Sequence, residues 1–188
     1  MNLSKLLAQD TVTVAKQLLG WTFQFKSKNG MVGGIIAETE AYTEDDPACH
    51  AYKGKQTKRN QIMFQSTGHI YIYFIYGMYH CINIVTEEKG TGAAVLIREI
   101  IPTIGLETIK KNRPKIQKDQ ELLNGPSKLM IGLDIPASLN GIHLSDHDCP
   151  ITLTPPTEPI KLTQHPRIGI SKATEQLWRF RLSHPKSM

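Results

Sequence analysis

The sequence predicts a single domain that mixes strands and helices, and three observations point there. At 188 residues the chain suits one domain with a full core. Hairpin signals recur: Asn29-Gly30 between two strand-like runs, and Gly77 inside the tyrosine-rich stretch Gly68 to Asn83. Helix signals are short and flank those strands. Residues 1–188 are therefore read as one domain. No internal repeat, low-complexity tract or linker divides them.

Bulk properties narrow the function classes. Hydrophobic residues make up 40% and charged residues 21%, the balance of a soluble globular protein. The net charge is +5, which favours a polyanionic partner such as nucleic acid. No apolar run reaches the roughly 18 residues of a membrane span, and the segment up to Asp10 lacks the apolar stretch of a secretory leader. Cys49, Cys81 and Cys149 are widely spaced. They read as reduced thiols of a cytoplasmic protein, without a disulfide framework or zinc site.

Taken in order, Ser4 to Leu19 carries Leu6, Leu7, Val14, Ala15, Leu18 and Leu19 at helical spacing. Asp10 caps a helix from Thr11, and Gly20 stops it. Trp21 to Lys26 reads as a strand, and Met31 to Tyr42 as its hairpin partner. On the second strand Ile36, Glu38, Glu40 and Tyr42 share one face. Ile35, Ala37, Thr39 and Ala41 share the other, which is assigned to the core. A carboxylate beside a tyrosine suits a general base, although exposed strand faces often carry glutamate.

Thr43 to Asn60 is polar and turn-rich, with Lys53, Lys55, Lys58 and Arg59 making a basic loop. It is either solvated surface or a phosphate contact. Ile70 to Tyr76 is the first strand of the next hairpin and Cys81 to Val85 the return. Gly68 to Asn83 holds four of the six tyrosines. Tyr71 and Tyr73 share a face, and Tyr76 sits beside the turn. A two-residue loop, Gly77-Met78, would set Tyr73 opposite Ile82. A three-residue loop, Gly77 to Tyr79, would set it opposite Asn83. The second is preferred, because it places a polar amide beside a tyrosine. Ordinary sheet packing is the other reading of these tyrosines.

Ala94 to Ile101 is an apolar strand interrupted by Arg98-Glu99, and Pro102 ends it. A buried Arg98 needs a partner. Glu40 is one candidate, and Glu38 and Glu99 stay open. Leu106 to Asn112 is a short helix followed by a basic run. Pro126 opens a further helix, whose amino end, with Ser127 and Lys128, could hold a phosphate or simply cap. His143, Asp146 and His147 lie in a loop without repeated ligand spacing, so no metal and no cofactor is assigned. Ile151 to Thr154 is a strand. Arg167 to Ser171 and Trp178 to Leu182 read as two last strands around a turn.

Taken together, these blocks resemble one family, the alkyladenine (3-methyladenine) DNA glycosylases of the mammalian type, which also occur in bacteria. The matching stretches are Glu38-Thr-Glu-Ala-Tyr42, Asp46 to His50, Arg59-Asn60 with Met63-Phe64, and Gly68 to Asn83. Val95 to Arg98, Asn124 to Leu129, Arg167 to Ser171 and Trp178 to Phe180 follow in family order. The resemblance implies an α+β domain on a curved antiparallel sheet with flanking helices and a protruding β-hairpin, like the C-terminal domain of formyltransferases. It implies a DNA repair hydrolase, active as a monomer on double-stranded DNA, that flips alkylated purines out of the duplex. It cuts their N-glycosidic bond without metal or cofactor. Glu40 would activate the water, held by Arg98 and the backbone of Ile168. Tyr42, His50 and Tyr73 would enclose the base, Asn83 would test its edge, and Tyr76 would fill the gap in the DNA. Lys58, Arg59, Ser127 and Lys128 would contact the DNA backbone. Such an enzyme is expected in the cytoplasm, on the nucleoid. Two rivals remain at this stage: a basic domain that binds nucleic acid without chemistry, and a metal-dependent hydrolase using His143, Asp146 and His147.

Overall fold

The computed structural model describes residues 2–183. It is built on one curled, eight-stranded antiparallel sheet with few helices. The central element is β2 (Gly30–Tyr42), thirteen residues long. β5 (Ala94–Ile104) runs along one edge of β2. The other edge is shared by β1 (Thr22–Ser27) and β8 (Arg179–Leu182). Outward from β5 come β4 (Tyr79–Val85) and β3 (Ile70–Ile75), and outward from β1 comes β6 (Ile151–Thr154). β7 (Leu162–His165) pairs with β8.

Four short helices flank the sheet. α1 (Leu3–Leu7) and α2 (Thr11–Gln17) open the chain. The Asp10 side chain accepts from the Thr13 amide at 2.9 Å, as its capping role predicts. α3 (Leu106–Asn112) and α4 (Pro126–Leu133) follow β5, with Pro126 in the first turn. Their apolar faces close the main core, in which Trp21, Phe23, Ile36, Ile97, Leu129 and Phe180 are buried. No helix among the described residues is long and apolar enough to cross a membrane.

Four expectations need correction. The β3–β4 turn is Tyr76-Gly77-Met78, with Ile75 opposite Tyr79. Tyr73 therefore faces Cys81, and it is Tyr71 that lies opposite Asn83. The cause is Tyr76 itself, which takes a left-handed conformation (φ 53°) beside Gly77 (φ 70°) and so enters the turn. Second, the alternation along β2 is broken. Val32, Ile36 and Ala41 all reach the main core. Register shifts between Ile36 and Glu38, and between Glu38 and Thr39, reverse the parity. Third, Pro102 does not end β5. It pairs opposite Gly34 beside another register shift, where a missing N–H is tolerated. Fourth, Arg167 to Ser171 is irregular. The strand before the last turn is β7, Leu162–His165. Gly169 has φ 77°, and the Arg167 side chain is drawn into the interior.

Candidate active site

β2 and β5 bring the candidate catalytic groups together. Glu40 is fully buried. Its carboxylate accepts three hydrogen bonds, from the Tyr42 hydroxyl at 2.8 Å, the Ile168 amide at 2.9 Å and Arg98 Nη1 at 3.2 Å. Tyr42 follows two residues later on the same face of β2, and Arg98 comes from the neighbouring β5. Ile168 is delivered by the loop after β7. The backbone of Ile168 was expected to help hold the water, and its amide donates to the Glu40 carboxylate.

Arg98 settles the partner question by taking two of the open candidates. Its Nε donates to Glu38 at 2.9 Å while Nη1 reaches Glu40. Glu38 also receives Arg179 at 3.2 Å and Arg181 at 2.9 Å, whereas Glu99 pairs with Arg181 at 3.2 Å. Burial alone would ease the proton off Arg98, but the charges of Glu40 and Glu38 outweigh it and hold its guanidinium charged.

In front of Glu40 lies a cavity of about 320 Å³, at the small end of the range for ligand pockets. Tyr42, His50, Tyr71, Tyr73, Asn83 and Arg98 line it, with Ser127 and Ile168 to Ile170 across from them and Tyr76 at the mouth. It stands on a second, smaller core of Cys49, Ala51, Met63, Phe64 and Val85. All the expected pocket residues therefore converge. Tyr71 was missed: parity alone paired it with Tyr73, but nothing in the sequence showed that it is the tyrosine bonded to His50.

The walls are neutral aromatic groups. Burial, reinforced by the charge and hydrogen bond of Glu40, raises the Tyr42 hydroxyl well above the usual phenol range. Burial raises Tyr71 and Tyr73 as well. His50 sits edge-on to Tyr73 at 4.7 Å between ring centres, and its Nδ1 lies 2.9 Å from the Tyr71 hydroxyl. Desolvation of the ring in the cavity wall, with a smaller contribution from the Arg59 charge, pushes it down to about 4, so the imidazole is neutral at physiological pH. Asn83 is buried, and its side-chain amide donates to the Tyr71 carbonyl at 3.0 Å.

The basic residues divide. Lys58 is exposed. Arg59 is exposed too, but it braces the hairpin: it donates to the Phe74 carbonyl at 3.0 Å and lies 5.4 Å over the Tyr73 ring. Asn60 ties this loop down by donating to the carbonyls of His50 and Lys55 at 2.7 and 2.8 Å. Ser127 lines the cavity, whereas the Lys128 ammonium turns to Asn124 at 2.7 Å. Tyr76, at the hairpin tip, is 76% exposed.

The metal rival finds no geometric support among the described residues. No group of three or more His, Cys, Asp or Glu side chains there could hold an ion. His143 Nε2 meets the Thr67 carbonyl, its Nδ1 meets Ser145, and Asp146 accepts from the His143 amide. These residues close a loop against β3.

The chain is similar to known proteins. The family model described as methylpurine-DNA glycosylase (MPG) matches residues 5–186. A Francisella tularensis subsp. tularensis protein named "Putative 3-methyladenine DNA glycosylase" is 43% identical over 182 residues, 95% of this chain and 93% of its own. Proteins of the same name from Chlorobium phaeobacteroides and Carboxydothermus hydrogenoformans are 46% and 43% identical. The first alignment covers 90% of this chain and 85% of the relative, the second 95% and 93%. With a family model spanning nearly all of it, and relatives this similar along their own lengths, the chain belongs to the methylpurine-DNA glycosylase family and is a DNA glycosylase, a hydrolase of N-glycosidic bonds.

Proposed function

We propose that the protein acts as a monomer on double-stranded DNA. It turns alkylated purines such as 3-methyladenine and 7-methylguanine into the aromatic cavity and hydrolyses them off with a water activated by Glu40. The observation that carries this reading is the placement of one buried carboxylate, held by three donors, directly behind the wall formed by Tyr42, Arg98 and Ile168. Chemistry on a base requires that base outside the stack, at a cost of a few kcal/mol. Tyr76 is exposed at the tip and large enough to occupy the gap, which offsets part of that cost.

Alkylation at N3 or N7 leaves the purine positively charged. A neutral box of two tyrosines and a histidine attracts such a ring by roughly 0.5–2 kcal/mol per contact. The charge also makes the base a ready leaving group. Glu40 takes a proton from water, the water oxygen bonds to C1′, and the C1′–N bond breaks with its electron pair going to the base. The alkylated base then departs neutral. Arg98 keeps the carboxylate oriented, and the backbone of Ile168 would help hold the water. Asn83, on the cavity wall, would contact the base edge. Lys58, Arg59, Ser127 and Lys128 would meet the phosphates.

Glu40→Gln preserves shape and removes the base. Excision from methylated duplex should fall by about 10²–10⁴-fold or more, while binding to the same duplex persists. Near-normal release of free base by this variant would refute the assignment.

A further inference from the structure

The buried pair Arg167–Asp46 lies outside the chemistry described so far. Both side chains are fully out of solvent, and neither lines the cavity. The guanidinium is forked onto the carboxylate, with Nη1 on Oδ2 and Nη2 on Oδ1. Nη1 also donates to the Ala41 carbonyl at 2.9 Å, and Nη2 to Gln176 Oε1 at 3.1 Å. The same group lies 4.7 Å from the centre of the Tyr42 ring and 5.2 Å from that of Trp178. Only Nε, buried, lacks a partner among the described residues.

One guanidinium thus joins three segments that each supply a site group. Ala41 is the neighbour of Glu40 and Tyr42 on β2. Asp46 organises the loop that ends in His50, accepting from the Ala48 amide at 3.0 Å and donating its own amide to the Thr43 carbonyl at 3.1 Å. Arg167 itself precedes Ile168, whose amide holds Glu40 at 2.9 Å. Burying a charge pair does little for net stability compared with apolar packing, yet removing one partner is costly. A planar fork with fixed donor directions suits positioning.

Building on the proposed role of Glu40, we infer that Arg167 and Asp46 are a positioning pair for the reaction. They hold the Ile168 amide on the Glu40 carboxylate and back the Tyr42 wall from behind the cavity. Losing that alignment withdraws a donor from Glu40 and loosens the geometry in which the carboxylate meets the water, so the single-turnover rate falls while duplex affinity stays. A merely structural pair would lower the amount of folded enzyme without lowering the rate per folded molecule.

The test is single-turnover release of methylated base from alkylated duplex, with duplex affinity and thermal melting measured alongside. The variants are Asp46→Asn, Arg167→Lys, Gln176→Ala and, as reference, Glu40→Gln. Asp46→Asn and Arg167→Lys should cut the rate of the folded enzyme by about 10–100-fold and leave duplex affinity unchanged. Gln176→Ala, which removes one contact of the guanidinium, should lower the rate by less, again with affinity unchanged. Folded variants with a wild-type rate would overturn the inference, and so would equal losses of rate and affinity. If the first two variants do not fold, Gln176→Ala decides, and a wild-type rate rejects the pair. Full activity of Glu40→Gln would instead refute the parent reading, whatever these variants do.

Discussion

Tyr76 carries two demands at once. It is the exposed tip of the hairpin, and it holds a left-handed backbone at φ 53°, which costs a residue with a Cβ roughly 1–2 kcal/mol. Strain of this kind at an exposed aromatic gathers where a side chain is being presented to something else. Tyr76→Gly should therefore melt no lower than wild type while excising far more slowly from duplex DNA. A clear drop in melting temperature would show that the ring stabilises the free protein, and unchanged excision would show that it is no wedge. Glu40 and Arg98 were both legible as single residues: a carboxylate beside a tyrosine and an arginine in an apolar strand each demand a partner. Arg167 was not, because its carboxylate partner Asp46 lies 121 positions away, and no local pattern announces such a pair.

Among the elements, β2 determines the rest. At Gly34 the facing chain comes so close that an added Cβ would stand 1.9 Å from the Ile101 carbonyl oxygen. Gly34→Ala has to push β5 away along the strand that carries Arg98. We expect a loss of about 3 kcal/mol or more, beyond the usual range for overpacking, read from urea unfolding; a loss under about 1 kcal/mol would mean that the two strands separate freely there. The spans of several strands and helices were legible, including Leu106–Asn112 and Ile151–Thr154. Register was not. The hairpin offset depends on Tyr76 entering the turn, a backbone choice that residues other than Gly, Asn and Asp seldom make. β7 escaped notice because Thr163 and Gln164 are exposed and no apolar alternation marks it. The Ile168-Gly169-Ile170 stretch looked like a strand but is held open by Gly169 and Arg167.

At the scale of the whole molecule the net charge is +5. Lys53, Lys55 and Lys58 are exposed on the loop beside the cavity. Each phosphate neutralised releases counterions, so affinity falls with salt at a slope of about 0.9 per contact. Changing all three lysines to Gln should flatten the salt dependence of duplex binding by up to about 3 slope units, with damaged and undamaged DNA affected alike. An unchanged slope would place the phosphates elsewhere on the surface. The order of motifs along the chain made the family legible, because the site draws on β2, the loop after it, β3, β4, β5, the start of α4 and the loop after β7.

The hairpin also fixes a length. Tyr73 in the wall and Tyr76 in the turn are three positions apart, at most about 10 Å of extended chain, and β3 is paired with β4 up to Ile75. Successive nucleotides along one strand are only about 3.4 Å apart. On the proposed mechanism, wedge and slot therefore behave as the jaws of a calliper that cannot be reset. Only the nucleotide at the wedge can reach the slot. A lesion one step along is out of gauge until the enzyme shifts its footing, so inspection of the helix is serial, one purine at each halt.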